Sequence, residues 1–242
     1  MIDGAAIIVI GNEILTGKVR DANSPYLLRE LRALGFPVHR VVVIPDDVDV
    51  IAREVRRHSE EFSQVFTSGG VGPTLDDVTF DGICKAFGLE LVEDERMARV
   101  IREHFGERTT PSHLKMALVP TGARLDFDGR MPWPVVEVEN VMVLPGDPGI
   151  LRKKFESVKE RFRRAPWHAR RIYTLLEEGD LAPILERLER GHPEVAIGSY
   201  PVYEKRDYKV LVTIESKDAA DVERAFEDLR RMIPEREIVR AE

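Results

Sequence analysis

The chain has 242 residues, of which 43% are hydrophobic and 33% are charged. A chain of this length and composition buries a core in one or two domains, which excludes disorder as its dominant state. The chain contains 36 Lys and Arg residues and 43 Asp and Glu residues, which gives a net charge of −7. This balance lacks the basic surplus of nonspecific nucleic-acid binders, so we expect no nucleic-acid partner.

Cysteine content and apolar runs bear on the cellular setting. Cys84 is the single cysteine, which rules out an internal disulfide bond and a zinc site built from cysteines. The apolar run at residues 5–10 is much shorter than the roughly 18–20 residues that a membrane span needs, and no basic leader segment precedes it. We therefore expect a cytoplasmic protein without a membrane partner.

The first 90 residues alternate between strand and helix patterns. Continuous β-branched runs are typical of strands buried on both faces. The first helix is expected to have Ser24 as its N-cap and Pro25 at its first position. Strands are predicted over residues 5–10, 38–44 and 64–67, and helices over residues 24–34, 47–59 and 78–87. This βαβαβ order predicts a parallel sheet covered by helices on both faces.

The remaining residues divide into two groups of elements. A helix over residues 94–105, a hairpin formed by residues 135–138 and 141–144, and a basic helix from 149 to about 163 complete the first group. After a linker near residues 163–167, the predicted order is strand, helix, strand, strand, helix, strand. This βαββαβ order is typical of a ferredoxin-like α+β fold. We predict an α/β domain over residues 1–165 and a smaller α+β domain over residues 166–242.

A glycine-rich turn, Ser-Gly-Gly-Val-Gly-Pro-Thr-Leu-Asp-Asp at residues 68–77, follows the third predicted strand. Parallel sheets bind ligands at such a junction between a strand end and a helix start. Glycines permit close approach of a ligand, and the backbone N–H groups favour anions. The Lys-Ser/Thr pair of a P-loop is missing, which argues against ATPase chemistry of that type. The alternative is that the glycines only turn the chain.

Asp76 and Asp77 close this turn. Adjacent carboxylates beside a phosphate-binding turn fit a divalent cation that bridges the protein and a diphosphate. Helix capping is the alternative, because Asp is favourable at a helix N-terminus.

Three further loops also follow predicted strands. They are Gly-Asn-Glu-Ile-Leu-Thr-Gly at residues 11–17, Pro-Asp-Asp at residues 45–47, and Leu-Pro-Gly-Asp-Pro-Gly at residues 144–149. Strand-end loops of a parallel sheet meet at one edge, so a site is predicted there. Glu13 is a candidate metal ligand or water-orienting group, or else a solvated carboxylate. Lys115 is a candidate phosphate contact or a surface lysine. The basic run at residues 152–154 is a candidate contact for an anionic partner, but most such runs are solvated helix faces.

These motifs resemble the molybdopterin-binding-like domain shared by CinA proteins and the MoaB/MogA group. The resemblance rests on residues 11–17 with Asp21 and Asn23, on residues 68–79, and on residues 144–146. Four short sequence motifs are most similar to the amino-terminal domain of eukaryotic-type FAD synthase. They lie at residues 77–80, 133–136, 192–196 and 198–201. The resemblance implies a three-layer α/β/α fold with a mostly parallel sheet.

The resemblance also implies a function. CinA-type domains imply metal-dependent cleavage of a nucleotide diphosphate such as ADP-ribose, and the FAD synthase domain implies cleavage of FAD to FMN and AMP. The MoaB/MogA branch implies binding or adenylylation of molybdopterin instead. Asp46 and Asp77 match the acidic positions of the family's site, and Glu13 matches the Gly-Xaa-Glu motif of CinA. A divalent metal (Mg, Mn or Co), with K as a possible second ion, and a homo-oligomer are implied as well.

The leading hypothesis is therefore a metal-dependent pyrophosphatase that cleaves a dinucleotide-like diphosphate, ADP-ribose or FAD, and releases AMP. The predicted catalytic residues are Asp77, Asp46 and Glu13, and the predicted metal ligands are Asp77, Asp76 and Asp46. The predicted substrate-binding residues are Gly11, Thr16, Gly17, Asn23, Ser68, Gly69, Gly70, Gly72, Pro73, Thr74, Lys115, Pro145 and Gly146. The alternatives are a pterin-binding or adenylylating protein of molybdenum-cofactor synthesis and a noncatalytic binding module.

Overall fold

The computed structural model describes residues 1–127, 132–204 and 206–242, and the chain divides into two compact units, Met1–Arg164 and Ala165–Glu242. The strands are β1 (Ile2–Ile10), β2 (Val38–Ile44), β3 (Phe62–Ser68), β4 (Leu91–Glu93), β5 (Leu118–Pro120), β6 (Arg124–Asp126), β7 (Val135–Val138), β8 (Val141–Leu144), β9 (His168–Thr174), β10 (Ala196–Pro201), β11 (Val210–Ser216) and β12 (Ile238–Ala241). The α-helices are α1 (Asn12–Leu15), α2 (Asn23–Ala33), α3 (Val48–Glu61), α4 (Thr79–Phe87), α5 (Glu95–Phe105), α6 (Pro111–Lys115), α7 (Pro148–Val158), α8 (Glu178–Gly191) and α9 (Ala219–Met232). Within the described ranges, no helix combines the length and the apolar character that crossing a bilayer requires.

The first unit is built on a six-stranded sheet with the order β2-β1-β3-β8-β7-β6. β1 pairs in parallel with β2 and β3, and β3 pairs in parallel with β8. β7 and β6 continue the sheet in antiparallel fashion. The predicted parallel sheet and the predicted hairpin are both confirmed.

Both faces of this sheet are covered, which explains the unbroken burial of residues 5–10 in β1. On one face, Phe66 packs in a cluster with Leu27 of α2 and Phe155 of α7. On the other face, Ile8 packs in a cluster with Ile51 of α3 and Ile83 of α4. Helix, sheet and helix therefore form the three layers that the family resemblance implies.

The start of α2 differs from the prediction. The helix begins at Asn23, and Asp21 Oδ1 accepts hydrogen bonds from the backbone N–H groups of Asn23 at 2.9 Å and Ser24 at 3.1 Å. The Ser24 hydroxyl itself donates to Asp21. The predicted Ser24 cap is wrong because Ser24 lies inside the helix, where its hydroxyl donates to Asp21 instead of accepting from a later N–H group.

The second unit contains an antiparallel sheet with the order β10-β11-β9-β12. Its core joins Ile172 of β9 and Val212 of β11 to Leu188 of α8 and Phe226 of α9. The βαββαβ order and this strand order confirm the predicted ferredoxin-like α+β fold.

Candidate functional site

A cavity of about 680 Å³ lies at the carboxyl ends of the parallel strands of the first unit. Glu13 contributes to its wall after β1, Asp46 after β2, Gly69 after β3 and Gly146 after β8. This volume lies in the range of small-molecule sites. All four strand-end loops named from the sequence therefore reach one cavity.

The glycine-rich turn after β3 has a fixed backbone. Gly69 has a φ angle of +111°, and a Cβ atom there would lie 2.1 Å from the carbonyl oxygen of Ile10. Gly70 has a φ angle of +64°. The Thr79 hydroxyl donates to Gly69 O at 2.8 Å, and Thr79 N donates to Gly70 O at 3.0 Å. The turn is thereby held between β1 and the start of α4, and only glycine fits against β1.

Asn23 ties the loops together behind the cavity. Its Nδ2 donates to Ser68 Oγ and to Gly146 O, both at 2.8 Å. Asn23 is buried and does not line the cavity. It therefore joins the start of α2 to the ends of β3 and β8.

The carboxylates of Asp46, Glu13 and Asp76 place their negative charges close together in the cavity wall. Asp46 Oδ2 accepts a hydrogen bond from Asn12 N at 2.8 Å. Burial raises the pKa of Asp46 above its usual value, the Asn12 hydrogen bond opposes this, and the negative charges of Glu13 and Asp76 raise the pKa further. A bound cation would relieve this repulsion.

Asp77 is engaged with the glycine-rich turn. Its Oδ2 accepts hydrogen bonds from Thr74 N at 2.8 Å and from the Thr74 hydroxyl. Asp77 nonetheless lines the cavity. One of its oxygens therefore shapes the turn while the carboxylate contributes negative charge to the site.

The carboxylates fit one mode of metal binding and not another. Across the described parts of the chain, no three Asp, Glu, His or Cys side chains are grouped closely enough to bind a metal ion by themselves. The predicted ligands Asp46, Asp76 and Asp77 are thus not a preassembled cage. Mg²⁺ commonly binds through one or two carboxylates together with substrate phosphates. The donor set of the cavity fits that shared mode.

Another part of the cavity wall is apolar and aromatic. Phe105 of α5 stacks on His113 of α6, with ring centroids 3.9 Å apart and planes 5° apart. Trp133 meets His104 edge-on, with centroids 5.8 Å apart. Phe80 and further apolar side chains complete this region, namely Met97, Met116, Val136 and Val143. Such a wall is suited to a planar ring.

Comparisons with known proteins agree with this geometry. Residues 6–164 match the family described as probable molybdopterin binding domain, and residues 166–242 match the FAD synthase middle domain. A protein from Archaeoglobus fulgidus is 34% identical over 227 residues, covering 94% of this chain and 96% of that protein. A protein named probable FAD synthase from Caenorhabditis briggsae is 33% identical over 249 residues, covering 90% of this chain and 47% of that protein.

The solved structure of CinA from Thermoplasma acidophilum is 32% identical to this chain. It covers 66% of this chain and 99% of its own, with a TM-score of 0.61. This chain belongs to the molybdopterin-binding-domain family. The resemblance drawn from the sequence motifs is thus confirmed, including its link to FAD synthase. The chain spans about half the length of the FAD synthase that it matches.

The structure separates the predicted site residues into two groups. Those in the cavity wall are Glu13, Asp46, Gly69, Gly70, Gly72, Pro73, Asp76, Asp77, Pro145 and Gly146. Those outside it are Gly11, Thr16, Gly17, Asn23, Ser68, Thr74 and Lys115. Lys115 Nζ donates to the carbonyl oxygens of Thr74 at 3.0 Å and Asp77 at 3.4 Å, so it braces the turn. Thr16 is exposed, and its hydroxyl donates to Asn12 O at 2.8 Å.

Sequence reasoning missed the aromatic wall and one lysine. Lys154 belongs to the basic run that was predicted to be a solvated helix face, but it lines the cavity. Its Nζ donates to Pro134 O, and burial lowers its pKa to about 8. The available signal was its helical spacing, because Lys154 follows the buried Leu151 by three residues on α7.

Proposed function

We propose that the protein is a metal-dependent nucleotide pyrophosphatase that cleaves a dinucleotide-like diphosphate, ADP-ribose or FAD, and releases AMP. The observation that carries this proposal is one cavity that combines a glycine-rich turn, a group of carboxylates and an aromatic wall. The turn suits phosphate groups, and the aromatic wall suits a nucleotide ring. Similarity to a protein named FAD synthase supports a nucleotide substrate.

The glycine-rich turn and the carboxylates each have a role in the proposed reaction. The turn from Gly69 to Gly72 cradles phosphate oxygens through its backbone N–H groups. Asp46 and Asp77, with Asp76 beside them, hold a divalent cation together with the diphosphate. When bound, the cation neutralises phosphate charge and lowers the pKa of the attacking water. Glu13 orients that water, whose oxygen bonds to one phosphorus while the bridging P–O bond breaks.

The test is AMP release measured by chromatography. Wild-type protein is incubated with ADP-ribose, FAD or NADH, each with Mg²⁺, Mn²⁺ or Co²⁺ and with K⁺ present. We expect Asp77→Asn to lower the rate of AMP release by about 100-fold, because the charge is lost at the reacting phosphates. The Asn side chain still offers Thr74 an acceptor oxygen, so the turn is retained. Glu90→Gln, an exposed position outside the cavity wall, is the matched control and should leave the rate unchanged.

Two results would redirect the assignment. Full activity in Asp77→Asn would remove Asp77 from the reaction. If wild-type protein releases no AMP from any substrate, molybdopterin titration becomes the decisive measurement. Saturable binding without turnover would then favour the second candidate, a pterin-binding protein, which the family description and the aromatic wall support.

A further inference from the structure

Lys154 contributes a positive charge to the cavity, and the proposed hydrolysis does not use it. It lies on α7, whose N-cap residue Asp147 also lines the cavity. A Cβ atom at Gly146 would lie 3.5 Å from Gly69 Cα, so the start of α7 adjoins the glycine-rich turn. Lys154 follows Asp147 by seven positions along the helix, which corresponds to a rise of about 10 Å. The backbone of Lys154 therefore lies about two helical turns from the start of α7, which adjoins the proposed phosphate-binding turn.

The ammonium group of Lys154 has donors left for a ligand. It carries three N–H donors, and the carbonyl oxygen of Pro134 accepts from it. Among the residues that the structure describes, no Asp or Glu lies within ion-pair distance of Lys154 Nζ. Burial lowers the pKa of Lys154 to about 8, so the group remains mostly protonated at pH 7. A half-buried cation with no carboxylate in range among the described residues is costly, and a ligand acceptor would reduce that cost.

Lys154 shares the cavity wall with several aromatic side chains. Trp133 directly precedes Pro134 and lines the same cavity. The stacked pair of Phe105 and His113 forms another part of the wall. Flat apolar surfaces beside a single donor group match a planar heterocycle whose edge carries carbonyl oxygens. A ribose would place hydroxyl groups against the apolar wall, and adenine has no carbonyl group.

We propose that Lys154 and Trp133 form a ring subsite that binds an oxo-substituted planar heterocycle, with Lys154 donating to a ring carbonyl oxygen. This inference rests on the proposed function, because the subsite takes the half of the dinucleotide that does not become AMP. It makes Lys154 a specificity-determining residue. Flavin-like substrates are favoured over ADP-ribose as a consequence.

The experiment measures binding of three probes to the full-length protein without turnover. The probes are FMN, which carries the ring and a phosphate, AMP, and ribose 5-phosphate. Binding is followed by calorimetry, and for FMN also by quenching of flavin fluorescence. We expect wild-type protein to bind FMN at least 10-fold more tightly than ribose 5-phosphate.

Lys154→Met removes the charge and keeps most of the apolar stem. We expect it to weaken FMN binding about 10-fold, because a hydrogen bond to a charged donor is lost, and to change ribose 5-phosphate binding less than twofold. Lys154→Arg should retain more of the FMN affinity than Lys154→Met. Trp133→Leu should reduce the flavin quenching. Lys153→Met changes the exposed neighbouring lysine and should leave all three affinities unchanged.

Several results would overturn the ring subsite. Equal weakening of FMN and ribose 5-phosphate by Lys154→Met would show that Lys154 binds the phosphate. Weakening of AMP alone would place adenine there. Failure of the proposed function can be distinguished from failure of the ring subsite. Lys154-dependent FMN binding without any AMP release would support the subsite and contradict the hydrolysis. If AMP is released but Lys154→Met lowers kcat/KM equally for FAD and ADP-ribose, the result would contradict the subsite and support the hydrolysis.

Discussion

Asp46 lies where the cavity is crowded with negative charge. Its carboxyl group is partly buried and faces Glu13 and Asp76, and both conditions raise its pKa. A folded-state pKa above the unfolded value near 3.9 means that the protonated carboxyl group favours folding. That contribution is present below pH 4 and is lost as the pH rises through the folded-state pKa. The ionised side chain is thus tolerated at neutral pH at a cost in stability.

Asp46→Asn tests this cost. The amide is neutral at every pH, and its oxygen still accepts from Asn12 N. We expect the variant to gain free energy of unfolding relative to wild type as the pH rises from 4 to 7, and to release AMP more slowly. Urea denaturation at a series of pH values measures the gain, with Glu90→Gln as a control. A difference between variant and wild type that does not depend on pH would contradict the charge argument.

At the scale of elements, the turn between β3 and α4 depends on its contact with β1. Gly69 combines a positive φ angle with a position where a Cβ atom would meet backbone rather than a mobile side chain. Gly17 also has a positive φ angle, +71°, but a Cβ atom there would meet nothing within 4 Å. A side chain at Gly17 would therefore meet backbone strain alone, whereas a side chain at Gly69 would meet both backbone strain and steric overlap.

Gly69→Ala and Gly17→Ala form a matched pair. We expect Gly69→Ala to lower the free energy of unfolding by about 3 kcal/mol or more, because β1 or the turn must shift. Gly17→Ala should cost only about 1–2 kcal/mol, the penalty for the left-handed conformation. Urea denaturation measures both. Similar losses in the two variants would mean that β1 does not constrain the turn.

Most elements followed from local sequence signals. The β-branched runs identified β1 and β2, and the predicted bounds of β2 agree with those of the structure. The helix predicted over residues 47–59 corresponds to α3, where Asp47 is the N-cap and accepts hydrogen bonds from Asp49 N and Val50 N. The start of α2 did not follow, because the helix begins at Asn23 and Ser24 lies inside it, with Asp21 Oδ1 accepting from Asn23 N and Ser24 N. The residue at which a helix begins depends on the backbone path before it, which a local pattern does not define.

At the scale of the whole molecule, the two units have separate cores. Phe226 is fully buried in the core of Ala165–Glu242, whereas all described residues that line the cavity belong to Met1–Arg164. We expect Phe226→Leu to destabilise the second unit by about 1–2 kcal/mol and to leave AMP release unchanged below its unfolding temperature. Calorimetry and the AMP assay together check this. A loss of activity in the folded variant would show that the second unit contributes to the reaction.

The strand-end loops and the glycine-rich turn were determined by the sequence itself. Each is a run of consecutive residues directly after a strand, and parallel strands bring such runs to one edge. Glu13, Asp46 and Gly69 could therefore be assigned to a common site from the sequence alone. The family resemblance rested largely on the same runs of residues.

The ring-binding wall and Lys154 were decided only by the tertiary structure. Phe105, His113, Trp133 and Lys154 come from four separate segments. Only the segment of Trp133 belongs to a motif of the family resemblance, and that motif did not indicate a ring-binding role. In sequence, their apolar residues are indistinguishable from ordinary core positions, and the lysine is indistinguishable from its exposed neighbours. Packing of α5, α6 and α7 around the sheet brings them together, because the pairing of distant segments depends on the whole fold rather than on local pattern.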